Sequence, residues 1–422
     1  MRGYRDAVNR PKRDDRQLGF SGADQRRPVP APVEPTRLAQ VLRPRAQASP
    51  LPAEVYIDPS ILDWEREHFF EASWVCVGRE EDAPEPGHLF TVEVGRESVV
   101  LVRGEDRLLR GFFNVCQHRG TRLVSEPFRV DGGPIICPYH SWTYDTEGRL
   151  RSSQHMAGAI GFEKAAFGLT PVPTEVFEGW AFVNVSGTAG PLRSYLADFP
   201  QRIERFGCGG LRRGGRREYE AEANWKILSE NYQECYHCPT IHPELSRVTP
   251  YTSGGNDDES HGPWLGGPMD LAEGCSTMSI SGITERPPIP GATEADHRRV
   301  FYYSVLPNLW ISLHPDYVMT HTVWPLDHER TRVVCEWLFH SDAMSTDPFD
   351  PSDAIDFWDL VNRQDWEACR RVQRGIGSRG FRGGRFSDLE GTIHALAALF
   401  ARSYLEGRVV RADEVGIERP RA

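Results

Sequence analysis

The chain of 422 residues has no apolar run approaching the roughly 20 residues that cross a bilayer. It also lacks a G-x-G-x-x-G opening a βαβ unit, so no NAD or flavin domain is expected in it. Positive charge is short. Lys and Arg number 49 against 60 Asp and Glu, a net charge of −11, which disfavours nucleic acid as the main partner. The N-terminus is rich in Arg and Pro and has no apolar core, so neither a secretory nor a twin-arginine signal is expected. Cysteine is sparse and odd in number, nine residues scattered from Cys76 to Cys369. A secreted disulfide framework is denser and usually even, so the reading is a reducing cytoplasm, with some cysteines buried and a few as ligands.

What is there divides into three stretches. Residues 1–50 carry eleven Lys/Arg, five Asp/Glu and seven prolines, a composition that predicts a flexible, solvated tail. Residues 51–206 open with helical spacing over Ile61–Trp74. Short Val-, Phe- and Leu-rich runs follow at Leu89–Val94, Ser98–Val102, Leu108–Val115 and Trp180–Val185, which reads as antiparallel β structure. The basic, Gly-rich stretch Gly207–Arg217 reads as a boundary, and 207–422 as a second domain. Its β-like runs are Val300–Leu306, Leu309–Leu313, Tyr317–Val323 and Arg332–Phe339, and two helical segments, Ser352–Arg374 and Leu389–Leu405, close it. Gly254 to Gly267 and Arg286 to Gly291 read as loops. The expected class is α+β.

Two constellations carry chemistry. In the first, Cys116-Gln-His118-Arg-Gly120 and Cys137-Pro-Tyr-His140 are Cys-x(1–2)-His pairs placed on two loops. Two thiolates and two imidazoles suit either a zinc ion or a Rieske [2Fe–2S] cluster, in which two Cys hold one iron and two His the other. One ligand of each type per loop favours the cluster.

In the second, Asn224-Trp-Lys leads to Glu234-Cys-Tyr-His237-Cys-Pro-Thr-Ile-His242. Glu234 and His237 are three apart and would share a helix face. His237 and His242 are five apart, which leaves them ~140° out of line on a regular helix at ~100° per residue. Pro239 and Pro243 can end the helix and bring His242 round. Two imidazoles and one carboxylate make the facial triad of non-haem Fe(II) oxygenases. Asp365 is the first choice for the acid, with Asp359, Asp356 and Glu367 as alternatives. Cys235 and Cys238 form a Cys-x-x-Cys without thioredoxin-like context and read as packing residues.

With these motifs the sequence resembles the Rieske non-haem iron oxygenases, specifically their large (alpha) subunit, over nearly everything from about Tyr56 onward. Gln364-Asp365 followed by Val372-Gln-Arg-Gly375 is similar to the family's last-ligand helix. The resemblance implies an N-terminal antiparallel β Rieske domain and a C-terminal helix-grip domain. It implies a [2Fe–2S] cluster on Cys116, His118, Cys137 and His140, and a mononuclear Fe(II) on His237, His242 and Asp365. Electrons would come from NAD(P)H through a separate ferredoxin or flavin reductase. The family also implies a ring-shaped homotrimer, in which the cluster of one subunit feeds the iron of its neighbour through a bridging acid matching Glu234. Glu at that position, in Glu-Cys-Tyr-His-Cys-Pro, is most similar in style to the demethylases of quaternary ammonium compounds, such as glycine betaine or proline betaine. Ring-dihydroxylating relatives often carry Asp there, and aromatic-ring hydroxylation is the alternative activity. For an ammonium substrate, Trp264, Tyr302, Tyr303, Trp310 and Tyr317 are the candidate aromatic cage.

Overall fold

Residues 29–129, 132–257, 260–345 and 347–416 are described in the computed structural model. The first half of the chain folds into small antiparallel sheets. Phe128–Arg129, Leu89–Val94, Glu97–Arg103, Leu109–Phe113 and Pro171–Val172 form one, in that spatial order. Val75–Arg79, Trp180–Val183 and Thr174–Phe177 form a second, and Ile135–Ile136, Thr143–Tyr144 and Leu150–Ser152 a third. Leu89, Val100, Val102 and Phe112 seal the region beneath Cys116 and Cys137.

The second half is a six-stranded antiparallel sheet gripped by helices. Its spatial order is Arg212–Ala221, Arg330–Phe339, Val318–Asp327, Leu309–Leu313, Arg299–Val305 and Trp264–Asp270. The last four strands in sequence form a meander, as their alternating apolar runs predict. The 25-residue helix Ser352–Ile376 lies against this sheet through Ala354, Phe357, Trp358 and Val361. No helix among the described residues is long and apolar enough to cross a membrane.

Both edge strands differ from the expectation. The basic stretch at 207–217 is mostly strand, Arg212–Ala221, although its side chains are largely exposed and polar. Cross-strand ion pairs hold it: Arg332 to Glu218 at 2.8 Å and Arg213 to Glu336 at 2.6 Å. Charged edges of this kind carry no hydrophobic alternation for a sequence reading to find. Trp264–Asp270, expected as loop as far as Gly267, is the opposite edge. Gly266 there has φ +130°, and a Cβ would sit 1.9 Å from the Tyr302 carbonyl oxygen, so the glycines mark close backbone approach within a strand.

Residues 1–28 lie outside the described residues, but the expected tail is docked from residue 29 onward. Pro35–Val41 is a helix that buries Leu38 and Val41. The Ala31 N–H donates to the Tyr404 carbonyl at 2.8 Å, and Arg45 pairs with Asp388 at 3.0 Å. The leading helix Pro59–Glu65, grouped by sequence with the first domain, is tied to the second. Glu65 meets Lys226 at 2.7 Å with both side chains fully buried, and it accepts from the Trp225 indole N–H at 2.7 Å.

Candidate metal centres

The two Cys/His loops are built alike. In each, the N–H four residues after the cysteine donates back to the cysteine carbonyl: Gly120 to Cys116 at 3.0 Å and Ser141 to Cys137 at 3.1 Å. In each, the cysteine N–H donates to the carbonyl five residues on, at 2.8 Å: Cys116 to Thr121 and Cys137 to Trp142. Gly120 (φ +74°) and Ser141 (φ +56°) occupy the same left-handed position, the conformation that lets a chain fold back so tightly. The loops therefore present one cysteine and one histidine each from facing sides.

Cys116 and Cys137 are buried free thiols, and burial pushes the Cys116 thiol up. The Tyr144 hydroxyl lies 3.3 Å from the Cys116 sulfur. The His118 and His140 rings meet edge to face at 4.6 Å, and Trp142 stacks on His118 at 4.7 Å. Nδ1 of each histidine is buried and has no hydrogen-bond partner. Two orphaned imidazole nitrogens facing two buried thiols fit a two-iron cluster. They do not fit a single zinc ion. Among the described residues, the one group of three or more such donors with every ligand atom within 4.8 Å is His237, His242 and Asp365.

That second group lies on the wall of a cavity of about 270 Å³. The helix Trp225–Tyr232 ends before Glu234, so Glu234 and His237 do not share a helix face as expected; they meet across a turn. The Glu234 carboxylate accepts from the N–H groups of Tyr236 and His237 and lies 2.6 Å from His237 Nδ1. Cys235 and Cys238 pack against the core as expected, and they also close the same turn with a disulfide. Pro239 and Pro243 each start a short helix, Cys238–Ile241 and Pro243–Val248. His242 stands between these helices in a non-helical conformation, φ −125°, ψ 70°. The break that the prolines impose turns His242 toward His237, with ring centroids 5.2 Å apart.

Asp365, on the long helix, completes the group. One of its oxygens lies 2.8 Å from His242 Nε2 and 3.3 Å from His237 Nε2. The other acids considered point elsewhere: Asp359 is held by Tyr219 and Arg363, Glu367 by Arg370 and Arg371, and Asp356 is exposed. Burial would depress the His237 pKa, but the carboxylates of Asp365 and Glu234 hold it up to about 10. Burial likewise opposes ionisation of Asp365, and the two imidazoles overcome it and lower its pKa. Such a pocket binds positive charge, and two imidazoles with one carboxylate are the donor set of a mononuclear Fe(II). Gln364, which the sequence reading quoted without a role, accepts from His242 Nδ1 at 2.7 Å.

The aromatic wall differs from the five residues expected. Only Tyr302 of those five lines the cavity, joined by Tyr232, Tyr236, Tyr251 and Trp358. Tyr302 meets Tyr232 at 5.9 Å and Trp358 at 6.3 Å, both edge to face. Period-two alternation sends Tyr303 to the opposite face of the sheet, where it packs with Trp264 and Phe199. Trp310 and Tyr317 form a second layer. Trp310 stacks under Tyr232 at 4.7 Å, and the Tyr317 hydroxyl accepts from the Trp358 indole N–H at 2.7 Å.

Comparison with known proteins follows the same division. Residues 73–170 match the Rieske [2Fe-2S] domain, and 209–406 match the ring hydroxylating alpha subunit catalytic domain. The glycine betaine monooxygenase oxygenase subunit of Chromohalobacter salexigens is 30% identical over 376 residues, covering 83% of this chain and 84% of that protein. The chain belongs to the Rieske non-haem iron oxygenases. The corresponding subunit of Pseudomonas aeruginosa is 28% identical over 386 residues, covering 84% of this oxygenase and 89% of its relative. A solved structure of the quaternary ammonium Rieske monooxygenase CntA with L-carnitine superposes with a TM-score of 0.71 at 25% identity, covering 89% of this chain and 100% of that one. A Rieske cluster and a non-haem iron belong to this family, and the helix-grip fold of the second half is the family's catalytic fold.

Proposed function

We propose that this oxygenase removes an N-methyl group oxidatively from a small quaternary ammonium compound. The observation that carries the reading is the placement of Tyr232, Tyr302 and Trp358 in the same cavity as His237, His242 and Asp365. Aromatic faces attract a desolvated ammonium by about 0.5–2 kcal/mol each. The relatives named for glycine betaine and the CntA complex with L-carnitine support the same class.

His237, His242 and Asp365 are the residues that would hold the mononuclear iron. Cys116, His118, Cys137 and His140 would hold the cluster. When bound, these centres supply one-electron transfer and O₂ activation. The protein's own work is to hold the substrate's N-methyl group toward the His/Asp end of the cavity, with the cationic nitrogen against the three rings. Glu234, hydrogen-bonded to His237, is the residue proposed to carry electrons in from a neighbouring subunit's cluster; inter-subunit electron transfer is described for a quaternary ammonium Rieske monooxygenase of solved structure. Electrons come from NAD(P)H through a separate ferredoxin or flavin reductase, in a cytoplasmic homotrimer. The balance is one trimethylammonium compound, one O₂, one NAD(P)H and one proton giving the protonated N,N-dimethyl tertiary amine, formaldehyde, water and NAD(P)⁺.

A product screen tests this. Purified protein, a surrogate reductase and NADH are offered betaines, carnitine, choline and aromatic acids. Formaldehyde with the corresponding tertiary amine supports the proposal. Coupled turnover of an aromatic acid, with no formaldehyde from any N-methyl compound, overturns it in favour of ring hydroxylation.

A further inference from the structure

We infer that the cavity selects a trimethylammonium cation with a neutral far end over a zwitterion that carries a carboxylate. This rests on the quaternary ammonium reading and narrows it. Among the described residues that line the cavity, none is Lys or Arg. The charged lining outside the two histidines is acidic: Glu234, Asp365 and Asp388. Glu234 and Asp365 are engaged with the imidazoles, at 2.6 Å from His237 and 2.8 Å from His242. Asp388 pairs with Arg45 at 3.0 Å, and Arg45 also donates to the Ser387 carbonyl, so this guanidinium is committed outside the lining.

Away from the two histidines, a substrate carboxylate drawn into this cavity would shed its water with no Lys or Arg in the lining to replace it, and an unpaired carboxylate resists desolvation strongly. The wall offers neutral groups instead. Asn256 is 6% exposed. Its Oδ1 accepts from the Gly266 N–H at 3.0 Å, which fixes the amide's orientation, and its Nδ2 has no partner. Thr252 and Thr392 line the same space. Amide and hydroxyl groups suit a substrate hydroxyl, which brings hydrogen-bonding capacity without charge. The ammonium end meets the faces of Tyr232, Tyr302 and Trp358 in either case. The far end therefore decides between ligands that share a head.

Choline and glycine betaine share the trimethylammonium head and differ at the far end, so they serve as probes. Isothermal titration of the iron-loaded, full-length protein is expected to show choline binding at least tenfold more tightly. Thr252 is exposed and lines the cavity, so Thr252→Lys introduces a cation there without disturbing the core. That variant is expected to tighten glycine betaine, weaken choline and bring the ratio below threefold. Equal affinities, or tighter binding of glycine betaine to the parent protein, overturn the inference while leaving the quaternary ammonium reading intact. Binding of neither probe, with binding of an aromatic acid, overturns both.

Discussion

Gln364 Oε1 lies 2.7 Å from Nδ1 of His242, on the side of the ring opposite the nitrogen that faces Asp365. An amide oxygen only accepts, so Nδ1 carries the proton and Nε2 keeps its lone pair for a metal. Adjacent residues of one helix thus hold both nitrogens of a fully buried imidazole. His237 is held differently, by the Glu234 carboxylate at 2.6 Å. One ligand imidazole leans on a neutral amide and the other on an acid.

Removing such an orienting partner typically costs about 10–100-fold in metal affinity. Gln364→Leu is expected to weaken Fe(II) binding by about that factor, and Gln364→Glu, which restores an acceptor, to recover most of it. Equilibrium dialysis against Fe(II), with the visible Rieske spectrum as an internal control, measures both. Unchanged affinity in Gln364→Leu would show that the Gln364 hydrogen bond does not set the ring.

The sheet's two faces give a second prediction. Tyr302→Leu removes a cage ring and is expected to raise the Kd of a trimethylammonium ligand about 2–30-fold, the equivalent of about 0.5–2 kcal/mol. Tyr303→Leu, one residue on but behind the sheet, is expected to lower the melting temperature and leave Kd unchanged. The reverse pattern would place the ligand outside this cavity.

These neighbours also mark how far the sequence could be read. The two Cys/His loops and the His237/His242 pair were legible as candidate ligands because metal ligation constrains residue type and spacing together; spacing left Asp365 as the first choice among four acids, and the fold brings it to the two histidines. The meander from 299 to 339 was legible from its apolar alternation. The edge strands Arg212–Ala221 and Trp264–Asp270 were not, since charge and glycine replace that alternation. The cage was misread because Tyr302 and Tyr303 are equivalent as composition and opposite as geometry; only strand register separates them. Glu234 was placed on a helix because its spacing from His237 suits one, but a disulfide-closed turn satisfies the same spacing. Helix Pro35–Val41 was hidden by surrounding prolines and arginines, although Leu38 and Val41 already stand three apart.

For Glu234, the expectation is a separation of binding from turnover. Glu234→Gln keeps a hydrogen-bonding side chain beside His237 and is expected to retain both metal centres while slowing steady-state turnover severely. Metal analysis and stopped-flow reoxidation of the reduced cluster measure the two properties. Near-parental turnover would remove Glu234 from the electron path.

A fourth prediction concerns pH. Burial raises the Glu230 pKa from 4.5 to about 7, against the opposing hydrogen bond from the Tyr56 hydroxyl. The folded protein thus binds this proton more tightly than the unfolded chain does. The resulting stability is complete below about pH 4.5 and is lost as pH rises through about 7. Glu230→Gln removes the ionisation, so its stability relative to the parent is expected to improve steadily across that window. Urea unfolding at pH 4.5, 6 and 7.5 reads the difference; a constant offset would contradict the assignment.

The central claim is that one chain holds two separate iron centres on the two constellations. Iron quantification of His237→Ala beside the parent protein tests it most directly, with the Rieske EPR signal recorded on the same samples. The account predicts three irons per parent chain and two in the variant, a count that follows from one two-iron cluster and one mononuclear site, with the EPR signal unchanged. Retention of all the iron in His237→Ala, or loss of the Rieske signal together with it, would contradict the account.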